Sequence, residues 1–168
     1  MQNNVKWFAL YTKPRAEFVA EAKLNELGVE VYLPKILRLR QWSDRKKKIL
    51  EPLFKSYIFI RCTEQQSALA SYLPQIVKTV CFDGKPSIIP DEQIENIRAL
   101  LQKTNNVTVV DGIVEGTAVK IVEGPFAGVK GVVFTKLNDE LMLGVSIELL
   151  NRTVVVQVSK NSLMKIAS

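Results

Sequence analysis

Asp91, Glu92 and Glu95 sit close together in this chain of 168 residues, and general acid–base chemistry would have to start from a carboxylate group of that kind. Their position gives another reading. They follow Pro90 and open an apolar helical repeat, where acids satisfy free N–H groups and complement the helix dipole. No base stands near to work with them. Histidine is absent, which removes histidine triads and the common Cys/His zinc sites, and Cys62 and Cys81 lack CxxC spacing. Neither a GxxxxGK[ST] phosphate loop nor a GxGxxG fingerprint occurs. A hydrolase or transferase needs a nucleophile, a base and a group that stabilises developing charge. The sequence predicts a binding protein rather than an enzyme, with no metal and no cofactor.

Two stretches have the composition of binding elements. The first is Val119–Val133, two β-type runs joined by the elbow Gly124, Pro125, Phe126, Ala127, Gly128. Glycine takes backbone angles closed to other residues, proline presets φ for a turn, and Phe126 can fold back over a barrel mouth. Gly131, inside the second run, predicts a bulge or sharp bend. By itself the elbow fits any five-residue hairpin loop as well as a module of the nucleic-acid machinery. The second stretch is basic. The net charge is +6, and between Lys35 and Lys48 seven cations (Lys35, Arg38, Arg40, Arg45, Lys46, Lys47, Lys48) meet one acid, Asp44. The remainder, with 16 cations and 16 acids, is neutral. Such a run is either a solvated loop or a grip for a polyanion. Trp42 inside it favours the grip, because an aromatic can stack on a base while Lys and Arg hold phosphates.

The elements that would position these residues fall into two textures. Apolar residues make up 47% of the chain, enough for one medium domain or two small ones. No window approaches the roughly 18 apolar residues of a membrane span, and Lys13, Arg15 and Glu17 interrupt any leader-like segment, so a cytoplasmic protein is expected. Lys6–Thr12 reads as a strand, and Pro14 as the first turn of a helix reaching Leu27, with Ala16, Ala20, Leu24 and Leu27 on one face and Gly28 as its stop. A strand near Glu30–Leu33 precedes a hairpin between Ile36 and Ile49, with its tip at Gln41–Arg45. Residues 51–61 end in a strand apolar on both faces, one to be covered by a helix and the other by something else. Thr63 and Gln66 have capping-box spacing for a short helix ending at Pro74. Val77–Phe82 reads as a strand closed by Asp83–Gly84, and a last helix has Asp91 as N-cap with Ile94, Ile97, Arg98 and Leu101 in its i, i+3, i+4, i+7 places. Residues 105–112 read as a linker. Beyond it Thr117–Val122, Val129–Thr135, Leu141–Leu150, Thr153–Val158 and Leu163–Ile166 are strand-like, as in a small closed barrel. The expected class is α+β: an N-terminal α/β sandwich over 1–104, the linker, and a five-stranded barrel over 113–168.

In that order the residues resemble the bacterial NusG transcription elongation factors, and among them the specialised paralogues of the RfaH and UpxY type. Trp7–Arg15 is similar to the opening strand and helix of the family's NGN domain, and Glu51–Ile60 to its "PLFPGYVFV" strand. Ile89–Ile94 is similar to the start of its last helix, and the Gly124–Gly128 elbow, with Gly131, to its C-terminal KOW motif in an SH3-like barrel. The resemblance implies a monomer that rides on transcribing RNA polymerase. An apolar cavity docks on the clamp helices of the largest polymerase subunit, closes the clamp over DNA and suppresses pausing. Tyr11, Phe54, Tyr57 and Phe59 match that cavity. Lys13 and Arg15 match a basic pair facing the non-template strand, and the basic hairpin would reach upstream DNA.

The departures are specific. Lys55–Ser56 replaces the usual Pro-Gly, and Leu150–Asn151–Arg152 replaces the Phe-Gly-Arg tip through which the family meets Rho or a ribosomal protein. Asn151 tolerates the left-handed conformation of a tight turn, so the fold survives while the tip aromatic is lost. Thr153–Val158 is strongly β-prone, which implies a stable barrel. These features favour an antiterminator of long polysaccharide operons. A housekeeping NusG, or a ribosome-associated KOW protein that binds RNA, is the alternative.

Overall fold

The computed structural model describes residues 4–159 and the backbone of 165–166; positions 163 and 164 of the last expected strand lie outside the described residues. The chain divides into two units, residues 1–91 and 92–168.

In the first unit β1 (Lys6–Thr12) and β5 (Tyr57–Cys62) form the centre of an antiparallel sheet, with Phe8 opposite Ile60 and Tyr11 opposite Tyr57. Strand β2 (Glu30–Tyr32) flanks β5, and β6 (Ile76–Thr79) and β9 (Ile88–Ile89) share the other edge of β1. Alternation sorts the side chains. Phe8, Leu10, Ile58, Ile60 and Cys62 point to one face, where they pack with Ala20 and Leu24 of α1 (Glu17–Glu26) and Ala70 of α2 (Glu64–Ala70). Trp7, Ala9 and Phe59 alternate to the opposite face and are also buried.

The helices begin and end for local reasons. Pro14 does not open α1. The amide of Ala16 donates to the carbonyl of Lys13 (3.1 Å), which closes a turn with Pro14 second and Arg15 third at φ 62°, the type II arrangement that usually wants glycine third. The α1 helix starts after this turn, and its buried face is Glu17, Ala20 and Leu24, with Val19 and Leu27 exposed. It stops at Gly28, φ 74°, where Gly28 N–H donates to Asn25 and Val29 N–H to Leu24, the paired bonds of a Schellman cap. The Thr63–Gln66 capping box forms as expected, although α2 ends at Ala70, short of Pro74. Residues 76–82 divide into β6 and β7 (Cys81–Phe82). The latter pairs with β8 (Lys85–Pro86) through Asp83 and Gly84, both at positive φ, as a two-residue hairpin requires.

Helix α3 (Asp91–Lys103) starts at Asp91 and buries Ile94, Ile97 and Leu100; Arg98 and Leu101, expected on that face, are only half-buried. The buried arc centres on Ile97. Polar side chains of its first turns bond residues of the second unit: Asn96 Oδ1 accepts from Lys130 N–H (3.1 Å), Gln93 Oε1 accepts from Glu148 N–H (3.2 Å), and Glu92 pairs with Lys130 Nζ (2.7 Å). That is why a helix expected to close the first domain falls with the second unit.

The second unit is a six-stranded antiparallel sheet in the order β10 (Thr108–Asp111), β14 (Arg152–Gln157), β13 (Leu141–Ile147), β12 (Lys130–Thr135), β11 (Thr117–Lys120), β15 (Lys165–Ile166). Strand β10 occupies residues read as linker. Its half-buried Val109 and Val110 pair with Val154 and Thr153, so the apolar patch between Asn106 and Gly112 is strand, not tether. In β12, Gly131 makes no bulge: the register to β11 runs unbroken from Thr117↔Val133 to Lys120↔Lys130. A Cβ at Gly131 would instead press on the carbonyl oxygen of Gly144 in β13, with Leu143 Cδ1 at 3.1 Å. Gly131→Ala is therefore expected to destabilise this unit by about 1–3 kcal/mol through overpacking. A thermal melt of the full chain against Gly131→Ala reads the difference.

Candidate docking and nucleic-acid surfaces

On the sheet face opposite α1 and α2, the register brings aromatic residues from β1, β2 and β5 together. Tyr11 and Tyr57 meet edge to face at 5.3 Å, Tyr32 stacks on Phe59 at 6.4 Å, and Phe54 meets Phe59 edge-on at 6.0 Å. Of the four residues expected to form a cavity, Phe54 and Phe59 are buried and Tyr11 and Tyr57 are half-exposed. An incoming surface would meet the two tyrosines, with the phenylalanines as their support. Tyr32 belongs to the cluster and was not anticipated. The signal that finds it is the pairing Tyr32↔Phe59, which puts both side chains on one face and which sequence spacing does not reveal.

Two left-handed residues stand beside this face. Ser56, at φ 65°, takes the place of the family's glycine, and its N–H donates to Glu17 Oε1 (2.8 Å) while its carbonyl accepts from Thr12 N–H (2.8 Å). Glu17 is buried, and its carboxylate ties α1 to this turn. Arg15, also left-handed, lies with Lys55, Phe18, Leu50 and Pro52 around a cavity of about 580 Å³. Lys13, Arg15 and Lys55 are exposed.

The basic segment is a hairpin, β3 (Lys35–Gln41) against β4 (Lys46–Pro52), paired without a break from Lys35↔Pro52 to Gln41↔Lys46. Trp42 N–H donates to the Arg45 carbonyl at 2.7 Å and closes the tip over residues 42–45. Pairing fixes which cations act together. Arg38, Arg40 and Lys47 share one face, where Lys47 Nζ lies 5.5 Å from the Trp42 ring. Lys46 and Lys48 are on the other. Arg40 is already matched: its Nε and a terminal nitrogen donate to the two oxygens of Glu51 at 2.7 and 2.9 Å. Lys35 is matched as well, pairing with Glu21 at 2.7 Å.

The Arg40 hydrogen bond holds the Glu51 carboxyl below its ordinary value of 4.5. A carboxyl with a lower pKa folded than unfolded adds stability above its unfolded value, and that stability is lost as pH falls through the folded one. An NMR titration should therefore place the Glu51 midpoint below 4.5, with hairpin amides shifting in the same step. Arg40→Gln should move the midpoint back up.

In the second unit the elbow folds as its residues dictate. Ala127 N–H donates to the Gly124 carbonyl across Pro125 and Phe126 (3.2 Å), Gly128 N–H donates to Ile121 (2.7 Å), and both glycines have positive φ. Phe126 is half-buried. At the later turn Asn151 is left-handed (φ 51°, ψ 49°), as expected. The other two tip residues are turned inward or tied down. Leu150 is buried, and Arg152 pairs with Asp111 (3.1 Å) and donates to the carbonyls of Leu150 and Asn151, which leaves Asn151 as the exposed member. Nothing assembles as a reaction centre among the described residues. Burial pushes the Cys62 thiol up to about 11, Cys81 is exposed and apart, and no group of three potential metal ligands forms. Among the described residues no helix is long and apolar enough to cross a membrane.

The family model described as "Transcription termination factor nusG" matches residues 5–98, more than half of the chain. The chain belongs to the NusG family. The matched span holds the whole sheet of the first unit, the aromatic face and the basic hairpin, so these are the NusG family's NGN domain in this protein. The fold is similar to a solved structure of NusG from Thermotoga maritima, described for its domain interaction, at 24% identity over 98% of each chain with a TM-score of 0.54. Two conformations of the MjSpt4:Spt5 complex also match, at 19% and 17% identity over 96% of this chain and 98% and 99% of theirs, with TM-scores of 0.32 and 0.33. A search of curated proteins finds no significant match.

Proposed function

We propose that this NusG-family chain is a cytoplasmic transcription elongation factor that binds RNA polymerase and suppresses pausing or termination. The observation that carries the reading is the Tyr11–Tyr57 pair, half-exposed on the family-matched sheet and supported by buried Phe54 and Phe59. An amphipathic aromatic surface on a rigid base is what an interface hot spot requires. Its partner is the pair of clamp helices of the largest polymerase subunit. Lys13 and Arg15 face the non-template strand, and the hairpin cations with Trp42 grip upstream DNA.

Within the family we assign the chain to the specialised RfaH and UpxY type. The hairpin concentrates the whole net charge, and the second unit's tip carries Asn151 where the housekeeping factor has glycine between an aromatic and an arginine. We take that unit as the KOW barrel, with the Gly124–Gly128 elbow shaping it and its contact to Rho or a ribosomal protein weakened by the missing tip aromatic. A single-round pause assay tests the reading. Added protein should shorten pauses on a long template, and it should bind purified polymerase without RNA present. Binding to RNA alone, with no effect on pausing, would instead make it a ribosome-associated KOW protein.

A further inference from the structure

The hairpin has a second face, and its composition is unlike the first. Register places Leu37 opposite Leu50 and Leu39 opposite Lys48, on the side away from Arg38, Arg40 and Lys47. Leu37, Leu39 and Leu50 are 41%, 59% and 49% exposed. A solvated face of a two-stranded ribbon is ordinarily polar, so three adjacent half-exposed leucines need an explanation. The strip is continuous at its root with the cavity lined by Leu50, Phe18 and Pro52. Its edges are cationic: Lys46 and Lys48 stand on this face, with Lys35 at its root and Lys55 at the cavity rim.

We propose that this leucine face docks an acidic amphipathic helix of a protein partner, separately from the aromatic face of the sheet. Charge complementarity selects the occupant. Lysines along the strip favour a segment whose apolar stripe is edged by Asp or Glu. A second copy of the chain would set Lys46 and Lys48 against their own counterparts. Single-stranded nucleic acid stacks on aromatics, and the leucine strip has none beyond Phe18 at its root. The spacing suits a helix as well. Leu37 and Leu39 lie roughly 7 Å apart along the strand, close to the roughly 6 Å rise between residues i and i+4 of a helix.

The probe is a fluorescein-labelled synthetic peptide of about 18 residues, with leucines at i, i+3, i+4 and i+7 and glutamates beside them. Anisotropy with the full chain should show saturable binding, at least tenfold weaker when the glutamates become glutamines and at least tenfold weaker to Leu37→Ser/Leu39→Ser. Both leucines are exposed, so that variant should keep its melting temperature and its affinity for DNA. Equal peptide binding by wild type and variant overturns the proposal, as does equal loss of DNA affinity, which would make the strip part of the nucleic-acid grip. Binding of wild type to vesicles of phosphatidylcholine and phosphatidylglycerol, with no binding to the peptide, also overturns it and assigns the face to a lipid surface.

Discussion

Alanine at both Tyr11 and Tyr57 is expected to weaken binding to purified RNA polymerase between about 30-fold and about 1000-fold, the loss of one or two aromatic hot spots at about 2 kcal/mol each. Both rings are half-exposed, so the double variant should remain folded, and a titration with labelled protein can read affinity directly. Phe59 behaves differently. It is fully buried between Phe54 and Tyr32, and Phe59→Ala should cost about 3–5 kcal/mol of stability before it affects any interface. Comparing the two variants separates the surface from its support. A folded Tyr11→Ala/Tyr57→Ala protein with wild-type affinity would remove this face from polymerase docking.

Glutamine at Arg45, Lys46, Lys47 and Lys48 should flatten the salt dependence of DNA binding. Each phosphate neutralised contributes about 0.7–0.9 to the slope of log affinity against log salt, so losing four contacts lowers it by roughly 3. Anisotropy with a labelled upstream duplex between about 50 and 200 mM salt gives the slope. Arg40→Gln should change it by less than any of these, because Glu51 already matches that charge through two hydrogen bonds. A slope unmoved by the fourfold change would make the run a solvated loop.

The residues that were legible in advance share one property: their chemistry acts within a few positions of the chain. Thr63 and Gln66 cap each other, Gly28 closes a helix, Asn151 takes the left-handed turn, and the hairpin tip closes between Trp42 and Arg45. What could not be read depends on partners distant in sequence. Val109 and Val110 form a strand only because β14 offers a free edge some 40 residues later, and Asn105–Asn106 and Asp111–Gly112 on either side look like turns. Tyr32 joins the aromatic face, and Leu37, Leu39 and Leu50 line up on one side of the ribbon, through cross-strand register. Leu150 and Arg152 look like a presented tip until packing and the Asp111 pair are seen.

Arg15 and Ser56 both hold a backbone conformation that glycine occupies without cost, at φ 62° and 65°. A left-handed L-residue gives up roughly 1–2 kcal/mol. The chain thus keeps an unused reserve of thermal tolerance at two neighbouring turns. Arg15→Gly should raise the melting temperature by about 2–4 °C, since about 1 kcal/mol moves a domain of this size by that much. If the hotter protein also loses affinity for the non-template strand, the guanidinium at this turn is being retained at the expense of durability, and any attempt to harden this factor for use would begin by disarming it.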